Sequence, residues 1–91
     1  MEKLTHQEIE SKLKDVPNWR LENEMIVRDW SFRDFNEAMK FINQIASLAE
    51  KHNHHPELFN VYNKVTVRFS THDVNGLTQR DFNIAREIDN L

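Results

Sequence analysis

Ninety-one residues provide material for one core and a single domain over residues 1–91. Apolar residues make up 38% and charged residues 30%, with one Gly and two Pro, a composition that excludes disorder and favours regular elements. The formal charge of −3, with no basic run, argues against a nucleic-acid partner, and the absence of cysteine rules out disulfides, thiolate metal ligands and a cysteine nucleophile.

The opening "MEKLTHQEIE" mixes acids and bases where a signal peptide needs an apolar run, and no stretch has the length of a membrane span. A cytoplasmic protein with no membrane contact is expected. Thr5 and Glu8 have the spacing of a capping box, and Ile9 and Leu13 continue a face begun by Leu4. Pro17 and Asn18 end this first helix, because proline disfavours helix in the residue before it. Trp19–Glu22 and Met25–Phe32 read as strands joined tightly through Asn23 and Glu24.

From Asp34, paired with Glu37, the period becomes helical. Phe35, Ala38, Met39, Ile42, Ile45, Ala46 and Ala49 form one stripe predicted to face the core, in a helix reaching Lys51. Phe41 and Leu48, one heptad apart, fall beyond that stripe; each alone reads as core margin, and as a pair they point to a subunit contact through this helix. Leu58–Tyr62 and Lys64–Ser70 make a second hairpin, with Asn63 suited to the turn and Val65, Val67 and Phe69 alternating with Lys64, Thr66 and Arg68. After Gly76, Thr78 and Asp81 offer a third capping pair for a helix carrying Phe82, Ala85 and Ile88 inward. The predicted fold is α+β, order α-β-β-α-β-β-α: a four-stranded antiparallel sheet with three helices on one face.

The chemistry gathers in "AEKHNHHPELF". His52, His54 and His55 lie where the long helix ends, and Pro56 biases His55 toward extended geometry, which separates the directions of the two adjacent rings. The strand that ends near Ser70 returns beside this segment and brings His72 close. Imidazoles titrate near neutral pH, so such a cluster can hold one ring as proton acceptor and another as donor. An ordinary polar loop explains the same residue types, and metal binding is a weaker alternative because adjacent histidines are not the i, i+4 pair of helical zinc sites. His52 fits a helix-dipole role and His6 a surface one. Taken alone, Glu50 reads as a solvated helix edge, Asp81 as a helix cap and Trp19 as core.

The run Glu50, His54-His55-Pro56, Tyr62, His72 and Asp81, together with "FNVYNKV", "STH", "RD" and "FRDFNEA", resembles the pterin-4a-carbinolamine dehydratases. The resemblance covers nearly all of the chain beyond Trp19; the first eighteen residues match only in helical character. It implies dehydration of 4a-hydroxytetrahydropterin to quinonoid dihydropterin in tetrahydrobiopterin recycling, with no metal and no organic cofactor. It further implies His54, His55 and His72 as active-site imidazoles, Glu50 and Asp81 as supporting carboxylates, and Trp19 as a wall of the pterin pocket. His54 and His72 are expected to be the acid–base pair, with His55 orienting the pterin and, as an alternative, sharing the acid role. Homodimers or homotetramers are implied as well. Some animal relatives bind a transcription factor's dimerisation helices, so a non-enzymatic binding module is the alternative, with Phe41 and Leu48 as its surface. The chain departs from some relatives at Asn53, where an aspartate is expected, and at Leu58, where a tryptophan is expected.

Overall fold

The computed structural model describes residues 2–91. The elements run α1 (His6–Leu13), β1 (Arg20–Glu22), β2 (Met25–Ser31), α2 (Phe35–His52), β3 (Glu57–Val61), β4 (Lys64–Phe69) and α3 (Gln79–Asp89), with a 3-10 turn over His72–Val74 before the last helix. All strand pairings are antiparallel and the spatial order is β1-β2-β4-β3, the predicted α+β arrangement.

Local chemistry sets the boundaries. Thr5 with Glu8 and Thr78 with Asp81 form complete capping boxes, each partner satisfying a backbone N–H of the other. Asp34 caps α2 by accepting from the Glu37 N–H, which holds its carboxyl below the ordinary carboxylate range, while Glu37 turns to the Arg33 N–H instead of returning the bond. The first hairpin closes through Asn23 and Glu24, both left-handed at φ 50° and 63°, the backbone sign that matches strand twist in a two-residue loop. In the second hairpin the left-handed residue is Tyr62 at φ 50°, not Asn63. Asn63 instead ties the hairpin tip to the β2–α2 connection. Its side chain donates to the Phe32 carbonyl and its own carbonyl accepts from the Phe32 N–H, both at 2.8 Å.

Alternation along β2 and β4 sends Ile26, Trp30, Val65, Val67 and Phe69 to the inner face, where they meet Ala38, Phe41 and Ile45 of α2 and Phe82, Ala85 and Ile88 of α3. Leu4, Ile9 and Leu13 pack onto the same cluster from the first helix and its approach. Over β1, β2 and β4 the outer face is largely polar. There Arg20 bridges Glu22 and Asp29 at 2.8 Å each, and the Thr66 hydroxyl and Arg20 together hold the Asp29 carboxyl below its ordinary range. Val27, paired in register with Arg20 and Arg68, is fully covered on this face.

The packing of α2 corrects the predicted stripe. Ala38, Ile45 and Ala49 are buried, but Phe35 and Ala46 are exposed and Met39 and Ile42 half-buried. Phe41, predicted to lie beyond the stripe as core margin or subunit contact, is buried as core, its ring 4.8 Å from Trp30 and 5.0 Å from Phe32. Leu48 is half-buried against the same cluster. The helix is therefore rotated toward β2, because the aromatic rings there offer Phe41 more contact than solvent does. The subunit contact expected of Phe41 has no exposed ring to make it.

Candidate active site

The end of α2 delivers the paired histidines. Asn53 takes the left-handed conformation at φ 48° and ψ 46°, its N–H bonds the Glu50 carbonyl at 3.2 Å, and the His54 N–H bonds the Ala49 carbonyl at 3.0 Å. This is a Schellman motif with asparagine in the usual glycine position, and it reverses the chain so that the residue after Asn53 turns inward. His54 consequently lies stacked on Phe69, centroids 5.4 Å apart and planes at 23°.

Asp81 comes from the cap of α3. Its Oδ2 accepts from the Thr78 N–H and the Thr71 hydroxyl, both at 2.9 Å, and its Oδ1 meets His54 Nε2 at 2.6 Å. Thr71 and Thr78 also bond one another at 2.8 Å. All four residues are buried, with Asp81 fully enclosed and His54 at 7% exposure. A carboxylate offers only acceptors, so Nε2 carries the proton and the tautomer is set. His54 Nδ1 has no hydrogen-bond partner among the described residues and is not sealed from solvent, and His54 is one of the residues that line the cleft.

His72 reaches the same cleft from the loop after β4. Thr71 and Gly76 pair as an isolated bridge, and the 3-10 turn between them pushes His72 and Asp73 outward. The cleft, about 260 Å³, is lined by Asn53, His54, His55, Ser70, Thr71, His72, Asp73 and Arg80. The three predicted histidines are thus brought together. Asp81 stands behind His54 and not on the cleft wall. Glu50 bonds His55 Nε2 at 2.5 Å, with both side chains largely exposed. A second hollow of about 200 Å³ lies beside α1, lined mainly by Leu4, Ile9, Leu21 and Leu77, and has only His6 as an imidazole.

Trp19 is the correction among the expected site residues. It is 4% exposed, does not line the cleft, and donates Nε1–H to Asp89 at 2.8 Å while packing on Trp30 and Phe69. Trp19 and His54 both pack on the Phe69 ring. His52 lies in the last turn of α2, where its expected dipole role would be exercised, and also pairs with Glu87 of α3. Thr71 and Arg80 appeared in the sequence only inside the motifs "STH" and "RD", with no site role given to either. Among the described residues no group of three or more histidines and carboxylates converges in a metal-binding arrangement, and no helix is long and apolar enough to cross a membrane.

Residues 2–91 match the family model described as pterin 4 alpha carbinolamine dehydratase. A Burkholderia orbicola protein, provisionally named a pterin-4-alpha-carbinolamine dehydratase, is 48% identical over 89 residues, covering 96% of this chain and 87% of that one. A Prochlorococcus marinus protein with the same provisional name is 46% identical over 88 residues, covering 97% and 92%. The crystal structure of a transcriptional coactivator/pterin dehydratase from Brucella melitensis superposes with a TM-score of 0.93 at 40% identity, covering 98% of this chain and 97% of that one. A pterin dehydratase-like protein identified as a RuBisCO assembly factor in the alpha-carboxysome shares the fold, with a TM-score of 0.65 at 15% identity over 79% and 83% of the two chains. With the match running the length of the described residues, the chain belongs to the pterin-4a-carbinolamine dehydratase family.

Proposed function

We propose that the chain is a hydro-lyase that converts 4a-hydroxytetrahydropterin to quinonoid dihydropterin and water, in the recycling of a tetrahydropterin cofactor in the cytoplasm. The observation that carries this reading is the His54–Asp81 pair: a buried imidazole whose Nε2 is bonded at 2.6 Å, whose Nδ1 is left unbonded, and which lines an open cleft with two further histidines. A neutral imidazole held in one tautomer is a prepared proton acceptor.

The reaction needs two proton movements on one ring system. His54 Nδ1 takes the N5 proton of the substrate. His72 delivers a proton to the 4a-hydroxyl, which leaves as water when the C4a–O bond breaks, and the N5 electron pair forms the C4a=N5 double bond. The enzyme ends with the proton on His54 in place of His72, and exchange with solvent through the open cleft restores the starting state. His55, held by Glu50 on the rim, orients the pterin. No step calls on a metal or an organic cofactor. Turnover of chemically generated 4a-hydroxytetrahydropterin, followed by the absorbance of the quinonoid product, tests the assignment: no acceleration over the spontaneous reaction rules it out.

Self-association belongs to the same proposal, through a different surface from the one expected. β3 is an edge strand, and Leu58, Phe59, Val61 and the adjoining Tyr62 are 42–62% exposed. Soluble proteins ordinarily guard such an edge with charges or proline, and between Leu58 and Val61 there is neither. A second copy pairing antiparallel about a twofold axis would satisfy the free backbone groups and cover these side chains. The binding-module alternative, by contrast, depends on Phe41, which is buried. Phe59→Lys with Val61→Lys is expected to shift the sedimentation coefficient from oligomer to monomer; a wild-type chain that sediments as a monomer at micromolar concentration removes the idea.

A further inference from the structure

Asp81 is not the only residue of α3 that reaches the histidine loop. Its neighbour Arg80 donates from a single nitrogen, Nη2, to the carbonyls of His52 at 3.1 Å and Asn53 at 2.6 Å. A helix terminus leaves its last carbonyls without partners, and here the Schellman bonds occupy those of Ala49 and Glu50 only. Arg80 takes up two of those beyond them. Between these two carbonyls lies Asn53, in the left-handed region that crowds any side chain with a Cβ. Successive residues of one helical turn thus hold the same short segment at two points: Arg80 grips the main chain just before His54, and Asp81 grips the His54 ring.

We propose that Arg80 is a positioning residue for His54, a clamp that keeps the Asn53 reversal in place so that the imidazole reaches both Asp81 and the cleft. The proposal deepens the dehydratase reading of that cleft. Arg80 also lines the cleft, so contact with substrate is the competing role. The geometry separates the two. Both observed bonds go to backbone oxygens, and both come from one nitrogen, so a lysine ammonium, with three donors on one nitrogen, can replace them in part. A contact that relied on the planar fork of the guanidinium could not be replaced in this way.

The test uses Arg80→Ala, Arg80→Lys and the double variant Asn53→Gly/Arg80→Ala. Arg80→Ala is expected to lower kcat by roughly 10- to 100-fold and to change KM by less than about threefold, since a displaced base harms the chemical step more than binding. Arg80→Lys is expected to recover most of that loss. Asn53→Gly should also recover several-fold in the Arg80→Ala background, because glycine adopts the left-handed turn without the Cβ clash and the segment then depends less on its clamp. A readout independent of turnover is the NMR signal of the His54 Nε2 proton shared with Asp81, expected to broaden or vanish in Arg80→Ala and to return in Arg80→Lys. Should Arg80→Ala not fold, Arg80→Gln, which keeps part of the side-chain stem, takes its place. An unchanged Nε2 proton, or a loss seen mainly in KM and not relieved by Asn53→Gly, overturns the clamp. A wild-type protein without turnover would remove the dehydratase reading, and the NMR comparison would still decide the clamp.

Discussion

Two histidine–carboxylate pairs stand a few residues apart, with almost the same contact distance and opposite surroundings. His54 and Asp81 meet at 2.6 Å with side-chain exposures of 8% and 0%; His55 and Glu50 meet at 2.5 Å with exposures of 57% and 77%. Contact distance therefore says little about what either pair does. The buried pair has every carboxylate oxygen committed, to Thr71, Thr78 and His54, and no water to replace a lost bond. The exposed pair competes with solvent and salt, so its attraction is weak and the His55 ring is held only loosely. One arrangement fixes a tautomer and an orientation. The other leaves a ring able to adjust to what enters the cleft.

The largest effect is expected from breaking the buried pair. His54→Ala removes the proposed base and should lower kcat by roughly two to four orders of magnitude. It also strands Asp81 Oδ1 in the interior, at a cost of about 1–3 kcal/mol, so the thermal midpoint falls as well. A ring lining an open loop could be removed without a folding penalty, whereas His54 is an enclosed, bonded member of the core's edge. Asp81→Asn keeps the shape and loses the charge, and should lower kcat by roughly two to three orders while leaving KM nearly unchanged. A kcat within threefold of wild type in both variants would remove the pair from the mechanism.

What could be read from the sequence follows the range of each interaction. The capping pairs Thr5/Glu8 and Thr78/Asp81 were legible because each is closed within four residues. The alternation from Lys64 to Phe69 was legible because a sheet with one wet face imposes it. Asp81 was half legible: the cap accounted for Oδ2, and nothing local showed that Oδ1 would find His54 from twenty-seven residues away. The rotation of α2 was hidden because helical period defines a stripe but not its partner, and Phe41 turned to rings supplied by β2 and the residue after it. Trp19 was drawn toward the site by resemblance, while its ring and its N–H were both already satisfied in the core. Arg80 entered only as part of the motif "RD", and its role was hidden for a different reason. Its partners are backbone carbonyls, which leave no mark in a sequence.

A smaller effect on stability, though not on rate, is expected at His72. This ring lies on the cleft from an exposed turn and has no hydrogen bond to another described residue, so it belongs to the same cleft as the buried pair but shares the exposure of the outer one. His72→Ala should lower kcat by roughly two orders of magnitude and leave the thermal midpoint within about a degree of wild type. Combined with His54→Ala, its effect should be less than additive, because both rings serve one reaction. Full additivity would mean that the two act on separate steps.

The smallest effect is expected from Glu50→Gln, and it is the variant that separates the two pairs most cleanly. The substitution preserves size and one acceptor oxygen while removing the charge opposite His55, so any change reports electrostatics across an exposed 2.5 Å contact. Such pairs contribute about 0–1 kcal/mol, which bounds the change in KM at roughly fivefold and leaves kcat close to wild type. The contribution should also shrink with salt, since charges in contact with solvent are screened over a Debye length of about 8–10 Å near physiological ionic strength. Raising the salt from low to about 0.5 M should therefore bring the wild-type KM toward that of Glu50→Gln. The difference between wild type and Asp81→Asn should persist under the same salt, because that carboxylate is fully enclosed. If Glu50→Gln instead matched Asp81→Asn in its loss of kcat and in its indifference to salt, the two pairs would be equivalent in function, and burial would not be what distinguishes them.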